Sequence, residues 1–137
     1  MNEGTHKNNI TKTASATMPR GAFVKLTAAD AGKVEACSAT DTDAIGVLLD
    51  SVDAGDNVAA ELLGVSNRTI VALADGEISA GGKVCLSANG AVKAIPAKGA
   101  SAQTVQVVGL ALGNSVGKGD LVEIIAHRCE QLTIAAQ

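Results

Sequence analysis

The sequence states one pattern of strand-like segments and turns twice. Residues 10–26 are matched by residues 70–86, 60 positions later in the chain. The match continues beyond this block, pairing 32–36 with 90–94, 45–49 with 108–112 and 54–58 with 118–122. A duplicated unit of this length is typical of a pseudo-symmetric β domain. We therefore predict an all-β fold, a compact β-barrel or sandwich spanning residues 10–126 and built from two similar halves, 10–63 and 69–126.

The strands of this domain are indicated by short runs rich in Val, Ile, Leu and Thr, separated by turns containing Gly, Asp and Asn. We expect strands over 10–16, 22–27, 33–37, 44–49 and 57–63, and over 69–74, 82–87, 91–95, 105–112 and 120–126. Residues 57–63 also fit two helical turns, but their counterpart 121–126 is β-rich, so both are interpreted as strands. Asn89-Gly90 predicts a tight hairpin, because both residues tolerate positive φ. Gly21 and Gly81, each just before a strand, are expected to need positive φ as well.

The two ends of the chain lie outside the repeat. Residues 1–9 are polar and without periodicity, and are interpreted as a flexible arm that orders only against a partner. The tail, residues 127–137, has no counterpart either. Its segment 132–134 is expected either to form a last strand at a sheet edge or to reach a neighbouring subunit. Residues 1–9 also lack the apolar stretch of a signal peptide, so synthesis in a cytoplasm is expected.

Composition limits the partners of the chain. Phe23 is its one aromatic residue, and a core of small aliphatic side chains buries less area per residue than one with aromatics. We therefore expect additional burial through self-association or docking. The net charge is −3 without a cluster of Lys and Arg, which argues against nucleic acid as a partner. No apolar run approaches the roughly 20 residues of a membrane helix, so no membrane partner is expected.

Two segments resemble ligand-binding loops and fail on inspection. Residues 113–119 look like a phosphate loop but are one residue short, and Gly119 stands where the Ser or Thr that binds the metal belongs. Asp41 and Asp43 begin a calcium-loop pattern that Ile45 interrupts at a ligand position. We interpret 113–119 as a turn, while a loose calcium site at Asp41 and Asp43 remains an open alternative.

Catalytic and metal-binding constellations are not expected. His127 and Cys129 face the same side of a strand, but a zinc site needs three or four ligands. Residues 113–117 match Gly-x-Ser-x-Gly, but the elbow of a nucleophilic serine opens a helix, and here a strand is expected to follow at 120–126. Its three cysteines are few and widely spaced, which argues against a disulfide framework. We expect no enzyme, no cofactor and no metal.

The repeated phrase resembles a known family. Residues 19–26, 32–36 and 44–49 are similar to the capsid cement (decoration) proteins of tailed bacteriophages, and the second half restates the same pattern over 82–92 and 108–122. The resemblance implies a virion protein that binds the outer surface of the assembled head, contacts the major capsid protein and stabilises the shell against internal DNA pressure. It also implies a homotrimer without catalysis.

On this reading the arm is the capsid-binding element. Ile10, Thr11, Lys12 and Thr13 are candidates to add a strand to an exposed sheet edge of the capsid. Met18 and Phe23 are candidates for a contact between subunits, with burial in the core as the equal alternative. Two other functions stay open: the base domain of a head fibre or another virion structural module, and a small-ligand-binding or hydrolase-like β-barrel domain.

Overall fold

The computed structural model describes residues 12–65 and 68–137, and the regular secondary structure of this part of the chain consists of β strands and one short 3₁₀ turn. The first half contributes β1 (Lys12–Ala14), β2 (Phe23–Leu26), β3 (Lys33–Ala36), β4 (Gly46–Leu48), β5 (Asn57–Val58) and β6 (Ala60–Leu62). The second half contributes β7 (Ile70–Leu73), β8 (Lys83–Leu86), β9 (Val92–Ala94), β10 (Gln103–Ala111) and β11 (Leu121–Ile134). The predicted all-β class is confirmed. Among the described residues, no helix is long and apolar enough to cross a membrane.

The first half forms a curled sheet whose strand order is β5-β1-β3-β2-β4-β6. Its pairs are antiparallel except for β1 with β3, which are parallel. The strands at the two ends of this order, β5 and β6, are separated in the chain only by Ala59. The sheet therefore closes on itself as a small barrel. Its interior holds mostly small aliphatic side chains: Ala14, Met18, Ala22, Val24, Val34, Leu48, Val52, Val58 and Ala60.

The second half forms a separate sheet with the order β7-β11-β10-β8-β9. A parallel bridge between Ala74 and Val92 links the ends of its two outer strands. The inner face of this sheet packs against the outer face of the first barrel, where Phe23 and Val47 share a core cluster with Val84 and Ile124. The two predicted halves thus build one sheet each, and the main core lies between them.

The turns follow the chemistry of their residues. Asn89 and Gly90 have φ of 57° and 78° in a short 3₁₀ turn between β8 and β9, as the Asn-Gly pair predicts. Gly21 and Gly81 have φ of 86° and 87°, also as predicted. Equivalent glycines therefore set equivalent turns in both halves.

The tail belongs to the second sheet. β11 continues past residue 126 to Ile134, and its last part pairs with the first part of β10, with Val105 opposite Leu132. We call the paired segments 103–107 and 130–134 the ribbon. A register shift between Val107 and Gly109 separates the ribbon from the rest of the sheet. Leu132 and Ile134 pack against a small cluster that contains Val105. Of the two alternatives for residues 132–134, the structure shows the last strand.

Candidate docking surface

The outer face of the second sheet is unusually apolar for a surface open to solvent. Along β11 the side chains alternate, so that Val122 and Ile124 point into the core while Leu121 and Ile125 point outward. Ile125 is 50% exposed, and Leu121 is exposed as well. A half-solvated antiparallel sheet normally carries polar residues on its outer face. The outward residues of β11 depart from that rule.

The same apolar face extends over the neighbouring strands. On β10, Leu110 lies opposite Ile125, and the exposed Leu112 follows at its end. On β7, the half-buried Leu73 lies opposite Leu121. We call this surface the outer patch and define it by its six apolar side chains: Val71, Leu73, Leu110, Leu112, Leu121 and Ile125. Contiguous exposed apolar surface of this kind typically marks an interaction site.

Two charged residues lie opposite members of the patch, and a third, Lys93, lies farther along the same face opposite Cys85. Lys83 on β8 lies opposite Leu110, and Glu123 on β11 lies opposite Val71. The hydroxyl of Thr69 donates to Oε2 of Glu123 at 2.6 Å. The outer patch therefore carries one cation and one anion, on strands that are separated by β10.

A second apolar depression lies near the start of β1. It has a volume of about 540 Å³ and is bordered by the aliphatic side chains of Leu26, Ile45, Leu62 and Val65. Lys12 and Arg128 also line it. We call it the entry groove, because the chain passes from residue 11 into β1 at Lys12, on its border.

An ion pair between a buried carboxylate and a largely exposed guanidinium lies between the halves. Glu61 on β6 is only 1% exposed, and its Oε1 accepts hydrogen bonds from Nε and Nη2 of Arg68 at 2.9 and 2.5 Å. Oε2 of Glu61 has no hydrogen-bond partner among the described residues. A buried carboxylate of this kind depends on its cation, since an uncompensated buried charge is costly. A cavity of about 300 Å³ adjoins the pair and is also lined by Arg20 and Thr69.

Asp41 works as a turn cap and an ion-pair partner. Its Oδ2 accepts from the backbone N–H of Ser38 at 2.7 Å, and its Oδ1 lies 2.9 Å from Nζ of Lys25. Burial raises the pKa of Asp41, but the bonds from Ser38 and Lys25 outweigh it and leave the pKa below its ordinary value. Within residues 12–65 and 68–137, no three His, Cys, Asp or Glu side chains are grouped to hold a metal ion. Both oxygens of Asp41 are engaged by protein groups, and nothing in the structure supports the calcium alternative.

The segment that resembles a phosphate loop is a turn, as predicted. The hydroxyl of Ser115 donates to the carbonyl oxygens of Gly76 and Gly117, and Oδ2 of Asp120 accepts from the N–H of Val116. Strand β11, rather than a helix, follows the turn. The side chains of this loop are therefore used to hold its own backbone.

The cysteines are free thiols in protected surroundings. Burial raises the pKa of Cys37 to about 12, and burial also raises the pKa of Cys85 and Cys129. Sγ of Cys129 lies 3.8 Å from the carbonyl oxygen of Asp41. Thiols held in their neutral form are poor nucleophiles and poor metal ligands.

The predicted capsid-binding residues divide into two pairs. Ile10 and Thr11 lie outside the described residues, as does the arm over 1–9. Lys12 and Thr13 lie in β1, where Thr13 pairs with Asn57 on one side and Lys33 on the other. Both edges of β1 are therefore paired within the chain at Thr13, and its backbone offers no free edge there for strand addition.

The predicted subunit-contact residues are both inside the chain. Met18 is buried in the barrel of the first half, and Phe23 is buried in the core between the halves. Neither side chain presents surface to a second subunit. The core alternative therefore describes both residues.

Sequence reasoning missed the outer patch and the buried carboxylate of Glu61 with its partner Arg68. One position of the repeat signals both features, because the first half has the carboxylate Glu61 where the second half has the aliphatic Ile125, 64 positions later. Comparing the two halves for differences, rather than for likeness, would have drawn attention to this position.

The comparisons with known proteins bear on the fold. No family model matches the chain, and no curated protein matches it in sequence. Among solved structures, the chain is similar to the head fibre gp8.5 N base of bacteriophage phi29, with a TM-score of 0.65 and 17% identity. The match covers 89% of this chain and 95% of that one. At this identity, the two proteins share a fold.

Proposed function

We propose that this chain is a structural protein of a bacteriophage virion that attaches to the outer surface of the assembled head as a homotrimer. The observation that carries the proposal is the likeness of nearly the whole chain to a head fibre base, at a TM-score of 0.65. The order and spacing of the repeated segments, which resemble capsid cement proteins, support the same location. The proposal assigns no catalysis, cofactor or metal to the chain, and its partner is the major capsid protein.

Two roles fit this location. A cement protein binds the assembled shell more tightly than its dissociated subunits, and so stabilises the shell by mass action. Several copies around a symmetry axis add avidity. A fibre base uses the shell only as an anchor. The sequence pattern favours cement, and the structural likeness favours the fibre base.

We assign the capsid contact to the entry groove and the arm that leads into it. Leu26 and Val65 are exposed at the groove, and apolar surface that is open to solvent gains free energy when a partner covers it. Lys12, the first described residue, lies at the groove border. The arm, with Ile10 and Thr11, would then contact the capsid next to the groove.

Head binding can be tested by co-sedimentation of the purified chain with heads assembled from the cognate major capsid protein. We expect Val65→Lys to weaken binding, because it places a charge in the contact. Deleting residues 2–9 is expected to weaken it independently. Val116→Lys is the matched control, since Val116 is 87% exposed but lies in the turn before β11. Undiminished binding by both Val65→Lys and the deletion would reject this surface, and no binding by the wild-type chain would reject head attachment itself.

A second measurement separates cement from fibre base. Heads with and without the bound chain are heated, and the temperature of DNA release is recorded. A cement protein raises this temperature with occupancy, as linkage requires. Binding without any shift would favour the fibre base.

A further inference from the structure

We propose that the outer patch is the surface through which this chain packs against a second copy of itself. The patch lies on the outer face of the second sheet, on strands β7, β10 and β11. It is separate from the entry groove, which we assign to the capsid. The proposal rests on the homotrimer proposed above and assigns the surface of its subunit contact, and its test does not require heads.

The first half shows how such a face is used. The counterparts of Leu110 and Ile125 in the first half are Val47 and Glu61, and these two are fully buried. They are buried because the second half covers the outer face of the first barrel. The molecule therefore already contains one contact in which the outward residues of one β unit pack against another β unit. The equivalent outward residues of the second half are left open by the described residues.

The apolar character of the patch is not a requirement of the sheet. In the repeat, Leu73 corresponds to Thr13 and Leu121 corresponds to Asn57. Thr13 is half-buried and Asn57 is exposed on the outer face of the first half. Those positions tolerate polar side chains in the same strand pairing, β1 with β5 in the first half and β7 with β11 in the second. Leucine at both positions of the second half therefore calls for an explanation outside the strand pairing. The Gly21 turn of the first half covers part of Leu121, because a Cβ on Gly21 would lie 3.2 Å from Cδ2 of Leu121. Leu121 is still 44% exposed, and burial against a partner supplies the rest of the explanation.

The chain covers part of this same face by itself. Beyond the register shift, Cys85 and Val107 point to the outer side, and Ile95 packs against them together with residues of the ribbon. The patch continues this covered area along β10 toward Leu110 and Leu112. A second copy bound over the outer patch would extend the packing that Ile95 and the ribbon already form on this face.

Charge favours a second copy as the occupant. Lys83 and Glu123 have opposite signs and lie on strands on either side of β10. In a cyclic trimer, the β8 side of the patch on one copy meets the β7–β11 side on the next, and Lys83 of one copy can then approach Glu123 of the other. An apolar surface with one balanced pair of charges suits another copy of itself better than a polyanion, which needs clustered cations.

Self-association can be measured by sedimentation velocity on the purified full-length chain over a wide range of concentration. We expect the wild-type chain to associate, and Ile125→Lys to weaken the association constant about tenfold or more. Thr133→Lys is the matched control, since it charges an exposed position on the same strand, outside both the patch and the entry groove, and should associate like wild type. Circular dichroism and thermal unfolding of each variant establish that it is folded.

Charge exchange provides a test that is independent of folding differences. Lys83→Glu and Glu123→Lys should each associate more weakly alone, because each brings like charges together. Mixed in equal amounts, the two variants should associate with each other more strongly than either does with itself. Equal association in the mixture and in the separate samples would overturn the assigned contact.

The remaining outcomes are decisive as well. A wild-type chain that stays monomeric at every concentration overturns the proposal. If such a monomer binds heads and Ile125→Lys abolishes that binding, the patch contacts the capsid protein instead. If the wild-type chain associates through the patch but ignores heads, self-association stands and head attachment fails.

Discussion

Gly21 and Gly81 have almost the same backbone conformation, with φ of 86° and 87°, but only Gly21 is pressed against the other half. A Cβ built on Gly21 would lie 2.7 Å from the backbone nitrogen of Leu73, whereas a Cβ on Gly81 meets nothing within 4 Å. The carbonyl oxygen of Gly21 also accepts a hydrogen bond from that N–H of Leu73 at 3.0 Å. Gly81 therefore serves only its turn, whereas Gly21 serves a turn and also lies in the contact between the halves.

Replacing these glycines by alanine separates the two roles. Gly81→Ala should lower the free energy of unfolding by about 1 kcal/mol, the cost of a side chain at positive φ. Gly21→Ala should lower it by about 3 kcal/mol, because the methyl group also displaces backbone atoms of β7. Urea unfolding of both variants gives the comparison. Equal losses would mean that the halves do not press on Gly21.

The buried Glu61 carboxylate and the largely exposed Arg68 side chain should be coupled. Arg68→Ala leaves the buried carboxylate without its cation and is expected to cost about 2 kcal/mol of unfolding free energy, less than in a fully buried pair because Arg68 is 63% exposed. Glu61→Ile, which installs the residue type of its counterpart Ile125, should recover much of this loss in the double variant. A double-mutant cycle measures the coupling.

The pair of Lys25 and Asp41, whose carboxylate is only partly buried, is the control for this cycle. Its side chains are 22% and 17% exposed, and Lys25→Ala should cost about 1 kcal/mol or less. A loss on Arg68→Ala as small as that on Lys25→Ala would contradict a buried Glu61 carboxylate that depends on Arg68.

Asp41 gives the stability a defined pH dependence. Its pKa is lowered in the folded chain, so the unfolded chain binds the proton more readily, with a pKa of about 3.9. The stabilisation is therefore present above about pH 4 and is lost as the pH falls through the folded-state pKa. Asp41→Asn should be less stable than wild type at pH 7, and the difference should shrink in acid. Urea midpoints at several pH values check this; a difference that stays constant into strong acid would exclude the assignment to Asp41.

The ribbon should contribute to stability through one of its faces. Leu132→Ala removes part of the cluster around Val105 and Val107 and should cost about 2 kcal/mol. Thr133→Ala, at the next position and on the exposed face, should change the stability by less than about 0.5 kcal/mol. Thermal unfolding of the two variants makes the comparison. Equal effects would indicate that the tail does not pack as described.

Much of the strand pattern could be predicted from local signals. Turn residues such as Asn89 and Gly90 fix where strands stop, and alternation fixes which side chains face inward. Each half of the repeat checks the other, which is why residues 57–63 were correctly interpreted as strand despite their helical pattern. The break at Ala59 between β5 and β6 was not predicted, because it arises when one segment must pair with β1 at one end and β4 at the other.

The candidate surfaces were harder to predict, because they depend on which faces the two halves cover. Phe23 and Met18 are large apolar side chains in strand or turn positions, and the sequence offers no means of telling a core position from an exposed one there. Residues 127–131 are mostly polar and lack a strand pattern, yet they continue β11 because β10 is long enough to pair with them. Burial and pairing over such distances are properties of the assembled sheets.

The 14-residue strand β11 also determines how this molecule would respond to mechanical load. It pairs with β7 near its start and with β10 along most of its length, and the N–H of Gln137 is bonded to the carbonyl oxygen of Gly99. Antiparallel hydrogen bonds run perpendicular to the strands. A pull on the C-terminus along β11 therefore loads the ladder in shear, so that many bonds resist together instead of opening one after another.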